Sequence, residues 1–139
     1  MEENQEVVRD FTQIVIDDYR TAIISREASL AGRKEVLSGK GSFGIFGDGK
    51  EIVQIALAKT FKKGDFRTGY YRDQTLMMSL DLLKLEGFFA QLYANAEPGF
   101  EPASSGRQMN NHFSSDLVDE NGDWLDHTEQ FNTAADISS

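Results

Sequence analysis

From Pro98 to the end of the chain no apolar period survives, and Gly, Ser, Asn and Asp dominate through Gly122. Polar stretches without a period read as loop. Regular structure is therefore expected in the first 97 residues, and an extended loop segment over 98–139. A structureless run of that length is unusual inside a compact domain, and marks either a functional loop or a segment that needs a partner to order it. A free-standing module gains nothing from such a run, because ordering each residue costs about 1–2 kcal/mol. The loop favours a piece of a larger molecule.

The residues before Pro98 are patterned for helices. Val8, Phe11, Val15, Tyr19, Ile23, Leu30 and Leu37 recur at helical spacing and predict one long amphipathic helix from Val7 to about Val36. Arg9, Asp17, Asp18, Arg20, Arg26, Glu27, Arg33 and Lys34 give it a charged side, and its apolar stripe suggests a neighbour. Gly39, Gly41 and Gly44 break the pattern. A second helix is expected from Asp48, whose carboxylate can accept from the Glu51 amide while Glu51 reaches back as a capping box. It should end near Phe61, with Lys62 and Lys63 favoured by the helix dipole and Gly64 as a left-handed cap. Phe66 to Tyr71 reads as a short strand. Thr75 to Met78 and Leu82 to Tyr93 read as two further helices, the last weakened in its middle by Gly87. The expected class is mainly α, with four helices, one short strand and a long carboxyl-terminal loop in a single region over 1–139.

With 40% apolar residues in 139, a chain of this size hides about 68% of its unfolded surface. A real core is expected. The formal charge of −9 repels a phosphate backbone and argues against nucleic-acid binding, so any phosphate site must be local. There is no cysteine, which removes disulfides and thiolate metal sites and makes a cytoplasmic location the simplest expectation. The amino terminus is acidic and no apolar run approaches a membrane span, so neither a signal peptide nor a membrane helix is expected.

Three motifs invite errors. Gly39-Lys40-Gly41-Ser42-Phe43-Gly44 has the spacing of a dinucleotide loop, but that chemistry needs a strand before the loop and a helix directly after it. A charged helix precedes it here, so a glycine-rich helix exit is expected. Gly47-Asp48-Gly49 looks like a magnesium motif, yet the next Asn is Asn95, too far away to complete it. Asp48 is read as a cap instead. Asp119-Glu120-Asn121-Gly122-Asp123 is acidic but lacks the glycine position and closing Glu of a calcium loop, and reads as a turn. His112 and His127 have no second ligand at metal spacing, and no zinc site is expected.

Tyr70-Tyr71-Arg72-Asp73-Gln74 differs, because an aromatic and an arginine at a strand end can share a cavity. The guanidinium is a rigid fork of donors suited to a diphosphate, and a tyrosine adds a ring wall and a hydroxyl. An ordinary surface ion pair between Arg72 and Asp73 is the plainer alternative.

Several segments in order carry a resemblance. They are Arg26-Glu27-Ala28 through Gly32-Arg33, Gly39 to Phe43, Gly49-Lys50-Glu51, Phe61 to Phe66, Tyr71-Arg72-Asp73, Gly106-Arg107-Gln108-Met109 with His112, and Ile137-Ser138-Ser139. From about Ser25 onward the chain resembles the alpha-type amino-terminal region of the thiamine-diphosphate-dependent decarboxylating component of 2-oxoacid dehydrogenase complexes, most like the branched-chain (2-oxoisovalerate) type. The resemblance implies an α/β thiamine-diphosphate-binding fold in the intact enzyme. It implies oxidative decarboxylation of a 2-oxoacid with acyl transfer to lipoyl, a beta-type half or subunit as partner, and a lipoyl acyltransferase component.

By the same resemblance Tyr71, Arg72 and Ser139 contact thiamine diphosphate, Ser138 helps to hold a structural potassium, and His112 takes no catalytic role. Relatives carry their magnesium motif beyond the point matching Ser139, so the magnesium ligands and the acyl pocket are expected outside this chain, which alone should be inactive. Two readings compete with this one: a non-catalytic helical interaction module derived from the family, and a helical domain with no site, in which Tyr71 is core and Arg72 solvated.

Overall fold

The computed structural model describes residues 2–97 and 110–134, with side chains from Asp10 onward. Within them the protein is mainly helical, in the order α1 (Glu2–Leu37), α2 (Glu51–Ala58), β1 (Phe66–Thr68), α3 (Gln74–Ser79), α4 (Leu85–Leu92) and β2 (Asn132–Ala134). Gly106 to Met109 and Ile137 to Ser139 lie outside the described residues. No helix among the described residues is long and apolar enough to cross a membrane.

The long first helix forms where its period predicts, but it buries a different face. Ala22, Ser25, Ala28, Ser29 and Gly32, spaced three and four apart, are buried. Phe11, Tyr19 and Leu37 from the expected apolar stripe are instead 67%, 68% and 82% exposed. Side-chain volume decides between the faces, because only small residues let neighbouring elements approach this closely. A Cβ added at Gly32 would lie 2.5 Å from the Phe46 ring. The helix ends as Gly39 turns left-handed at φ +78°, while the amides of Lys40 and Gly41 return to the Glu35 carbonyl.

The apolar core gathers Ala28 of α1, Leu76 and Met77 of α3, Phe88 of α4, and Leu83 and Phe113 from loops. Phe46 and Phe89 pack against it, with the Phe88 and Phe89 rings edge-to-face at 5.1 Å. Burying each large apolar side chain contributes roughly 1.5–3 kcal/mol. Helix α4 begins at Leu85 rather than Leu82. Asp81 is left-handed at φ 56°, and the amides of Leu82 and Leu83 both return to the Met77 carbonyl.

Beside this core lies a polar layer. Gln74 is fully buried; its Nε2 donates to the Ser25 carbonyl at 2.8 Å and to the Ser29 hydroxyl at 2.8 Å, and its Oε1 accepts from the Gly47 amide at 3.3 Å and Asn111 Nδ2 at 3.1 Å. Asn110 brackets Ile45, accepting from its amide and donating to its carbonyl. Buried amides placed this way satisfy loop backbone that no helix or strand can pair.

The expected strand through Tyr71 stops at Thr68. It is joined by a partner that the loop-like sequence did not announce: β2 pairs with β1 in parallel, with Phe66 opposite Asn132, Arg67 opposite Thr133 and Thr68 opposite Ala134. Three residues carry too little alternation to reveal a strand. Gly64, expected to cap the second helix, adopts φ +89° in the turn before β1 and donates its amide to Gln130 at 2.9 Å, whereas that helix ends earlier, at Ala58.

Candidate functional site

The chain leaves β1 through Gly69 and turns, with the Asp73 amide bonded to the Tyr70 carbonyl, so that Tyr70, Tyr71 and Arg72 lie in the turn between β1 and α3. Tyr70 and Tyr71 stack with ring centres 4.2 Å apart, and the Tyr70 hydroxyl donates to that of Tyr71 at 2.8 Å. The Arg72 guanidinium sits over the Tyr71 ring, 5.2 Å from its centre. Tyr71 is half-buried and Arg72 is exposed, so the pair forms an open stack on the described surface rather than the wall of a closed cavity.

Arg72 differs from its fellows in what it lacks. Arg20, Arg26, Arg33 and Arg67 each pair with a carboxylate. Among the described residues Arg72 pairs with none. The neighbouring Asp73 is engaged by Arg67 at 2.9 Å instead. A guanidinium without a counter-ion in a chain of net charge −9 is a local place for an anion.

The backbone beneath the stack is pinned from three sides. Gln54 Nε2 donates to the Arg72 carbonyl at 2.8 Å, and the same amide accepts from Leu76 N through Oε1. The Asp73 carboxylate accepts from the Tyr70 amide at 3.2 Å. Arg67, which holds that carboxylate, also donates to Thr133 Oγ1 of β2 at 2.6 Å. Burial lowers the Arg67 pKa, with Asp73 opposing the shift, yet an arginine stays charged at any physiological pH. Finally, Gly47 lies so close that a Cβ there would sit 2.4 Å from the Arg72 carbonyl oxygen. Gly47→Ala is expected to push that backbone away and cost about 1–3 kcal/mol of stability, as other overpacking does. A thermal melt within a degree of wild type would contradict this close approach.

The loop of Gly47, Asp48 and Gly49 beside Arg72 is tied to α1 by two ion pairs. Arg26 grips Glu51 with two bonds, at 2.6 and 2.8 Å, and both Glu51 oxygens accept from the Gly49 amide at 3.0 Å. The Arg26 bonds, joined by the Gly49 and Glu51 amides, hold the Glu51 pKa down to about 2 despite burial, which opposes the shift. Asp48 does not cap α2 as expected: its carboxylate pairs with Arg33 at 2.6 Å, and α2 has no side-chain cap. A cap needs only local geometry, but here the Asp48 carboxylate is taken by an arginine on α1. Glu51 keeps half of the expected motif, reaching back to Gly49 from the start of its helix.

Of the other expected site residues, Ser138 and Ser139 lie outside the described residues. His112 is buried in the polar layer, with Nδ1 3.1 Å from the Asn110 carbonyl. His127 stands between the Phe66 and Trp124 rings. Among the described residues no group of His, Asp or Glu side chains could hold a metal ion. The reading from sequence missed Gln54 and Arg67, which act through partners distant in sequence, and gave Tyr70 no role of its own, because no spacing reveals a hydroxyl contact.

Compared with known families, residues 19–129 match the model described as "Dehydrogenase E1 component". No curated protein matches the chain.

Proposed function

This chain belongs to the dehydrogenase E1 component family, and on that premise we propose that it supplies one wall of the thiamine diphosphate site in a decarboxylating 2-oxoacid dehydrogenase of the branched-chain type. The observation that carries the proposal is the free fork of Arg72, stacked on Tyr71 and without a carboxylate among the described residues. It can direct parallel N–H bonds at diphosphate oxygens, and the adjoining phenol adds a donor.

When bound, the cofactor supplies the carbanion chemistry of 2-oxoacid decarboxylation. This chain's residues bind and orient. Tyr71 and Arg72 hold the diphosphate end, Ser139 adds a contact to the cofactor, and Ser138 serves a potassium ion. The chain's partners are a beta-type half or subunit, which completes the site, and the lipoyl acyltransferase component that receives the acyl group. The assembly is cytoplasmic.

Arg72→Ala in the full-length parent enzyme is expected to weaken thiamine diphosphate binding at least tenfold, about 1.4 kcal/mol, in a fluorescence or calorimetric titration. Unchanged affinity would remove Arg72 from the site and leave the chain as a helical interaction module of the family.

A further inference from the structure

We propose that Tyr70 is a positioning residue of the diphosphate site and acts through Tyr71, its hydroxyl donating to Tyr71 and thereby committing the Tyr71 proton to the ligand. The inference rests on the assignment of Tyr71 and Arg72 to that site. A phenol carries one proton to give and lone pairs to receive. With Tyr70 donating at 2.8 Å, the Tyr71 oxygen is occupied as an acceptor and its own hydrogen must point elsewhere. Hydrogen bonds in series polarise one another, so the outgoing bond from Tyr71 is the stronger for it.

Tyr70 is held ready without any ligand. Its ring lies 4.2 Å from that of Tyr71 with planes inclined by 32°, and its amide is fixed by Asp73 at 3.2 Å. Asp73 is in turn clamped by Arg67, which spans to Thr133 on β2. The fold therefore fixes the two rings and the distance between their hydroxyls. The arrangement suits a ligand with bare acceptor oxygens, such as a diphosphate ester, because the outgoing groups of Tyr71 and Arg72 are all donors.

The test is a double-mutant cycle in the full-length enzyme with Tyr70→Phe and Tyr71→Phe, each of which keeps the ring and removes one hydroxyl. Thiamine diphosphate is titrated directly, and inorganic pyrophosphate is titrated as a competitor. Tyr70→Phe is expected to weaken both about fivefold and Tyr71→Phe about tenfold, while the double variant stays within about twofold of Tyr71→Phe alone. A merely structural role would not abolish the Tyr70 effect in the Tyr71→Phe background. Losses that multiply to roughly fiftyfold would overturn the proposal. So would unchanged binding by Tyr70→Phe in an enzyme where Arg72→Ala still weakens the cofactor. If Arg72→Ala binds as wild type does, the diphosphate site is misplaced and the role of Tyr70 falls with it.

Discussion

Glu51→Gln is expected to lower the unfolding free energy by about 2–3 kcal/mol at neutral pH and to flatten the acid limb of the stability curve. The carboxylate is buried, gripped by Arg26 and bonded to the Gly49 amide, so the substitution removes a charge-assisted pair and weakens the turn before α2. Arg26 is half-exposed and can turn to water, which keeps the loss below that of a fully buried pair. The pH dependence follows from the depressed pKa. Glu51 ionises with a pKa of about 2 in the folded protein against 4.5 ordinarily, so its contribution is complete above about pH 5 and is lost as pH falls toward 2. Urea midpoints measured from pH 7 to pH 3 should converge for wild type and variant as the acid is reached. Parallel curves across that range would show that the ion pair contributes nothing.

A larger loss is expected from Gln74→Leu, at about 3–4 kcal/mol. The leucine fits the volume but leaves the buried Gly47 amide and Ser29 hydroxyl short of a partner, at about 1–3 kcal/mol for each group stranded, whereas Asn111 Nδ2 keeps its bond to the Ile45 carbonyl. Domains of this size hold only about 5–15 kcal/mol in total. The urea midpoint should fall steeply with little change in slope, since the surface exposed on unfolding is the same. A midpoint equal to wild type would mean that the polar layer is no more than tolerated.

The existence of α1 and α4 could be read from apolar period, that of α2 from the signals flanking it, and the exit of α1 from Gly39. The face that α1 buries could not. Period reports where large apolar residues lie, whereas the packing here selected Ala22, Ser25, Ser29 and Gly32 for their small size and, at the serines, for their hydroxyls. Asp48 and Gly64 have cap-like neighbours in sequence, but each was claimed by a distant partner, Arg33 and Gln130. Local rules assume that no such competitor arrives. The order of surrounding motifs and the match between a guanidinium fork and a diphosphate pointed to Tyr71 and Arg72, but neither revealed that the two would stack in the turn before α3. Gln54, Gln74, Asn110 and Asn111 were not, because a buried amide and a solvated one look the same until the chain is folded around it.

The link from Arg67 to Thr133 joins residues separated by 66 positions. During synthesis the ribosome releases the tyrosine turn long before the segment that anchors its arginine, so a nascent chain arrested ahead of Asn132 holds Arg67 and Asp73 without their far tether. Local helices can assemble early, whereas a contact of such long range closes late. The Arg67 tether beneath the turn that presents Arg72 can therefore close only once β2 has been made, whereas the bonds from Gln54 and Asp73 to that turn need no residue beyond Gln74.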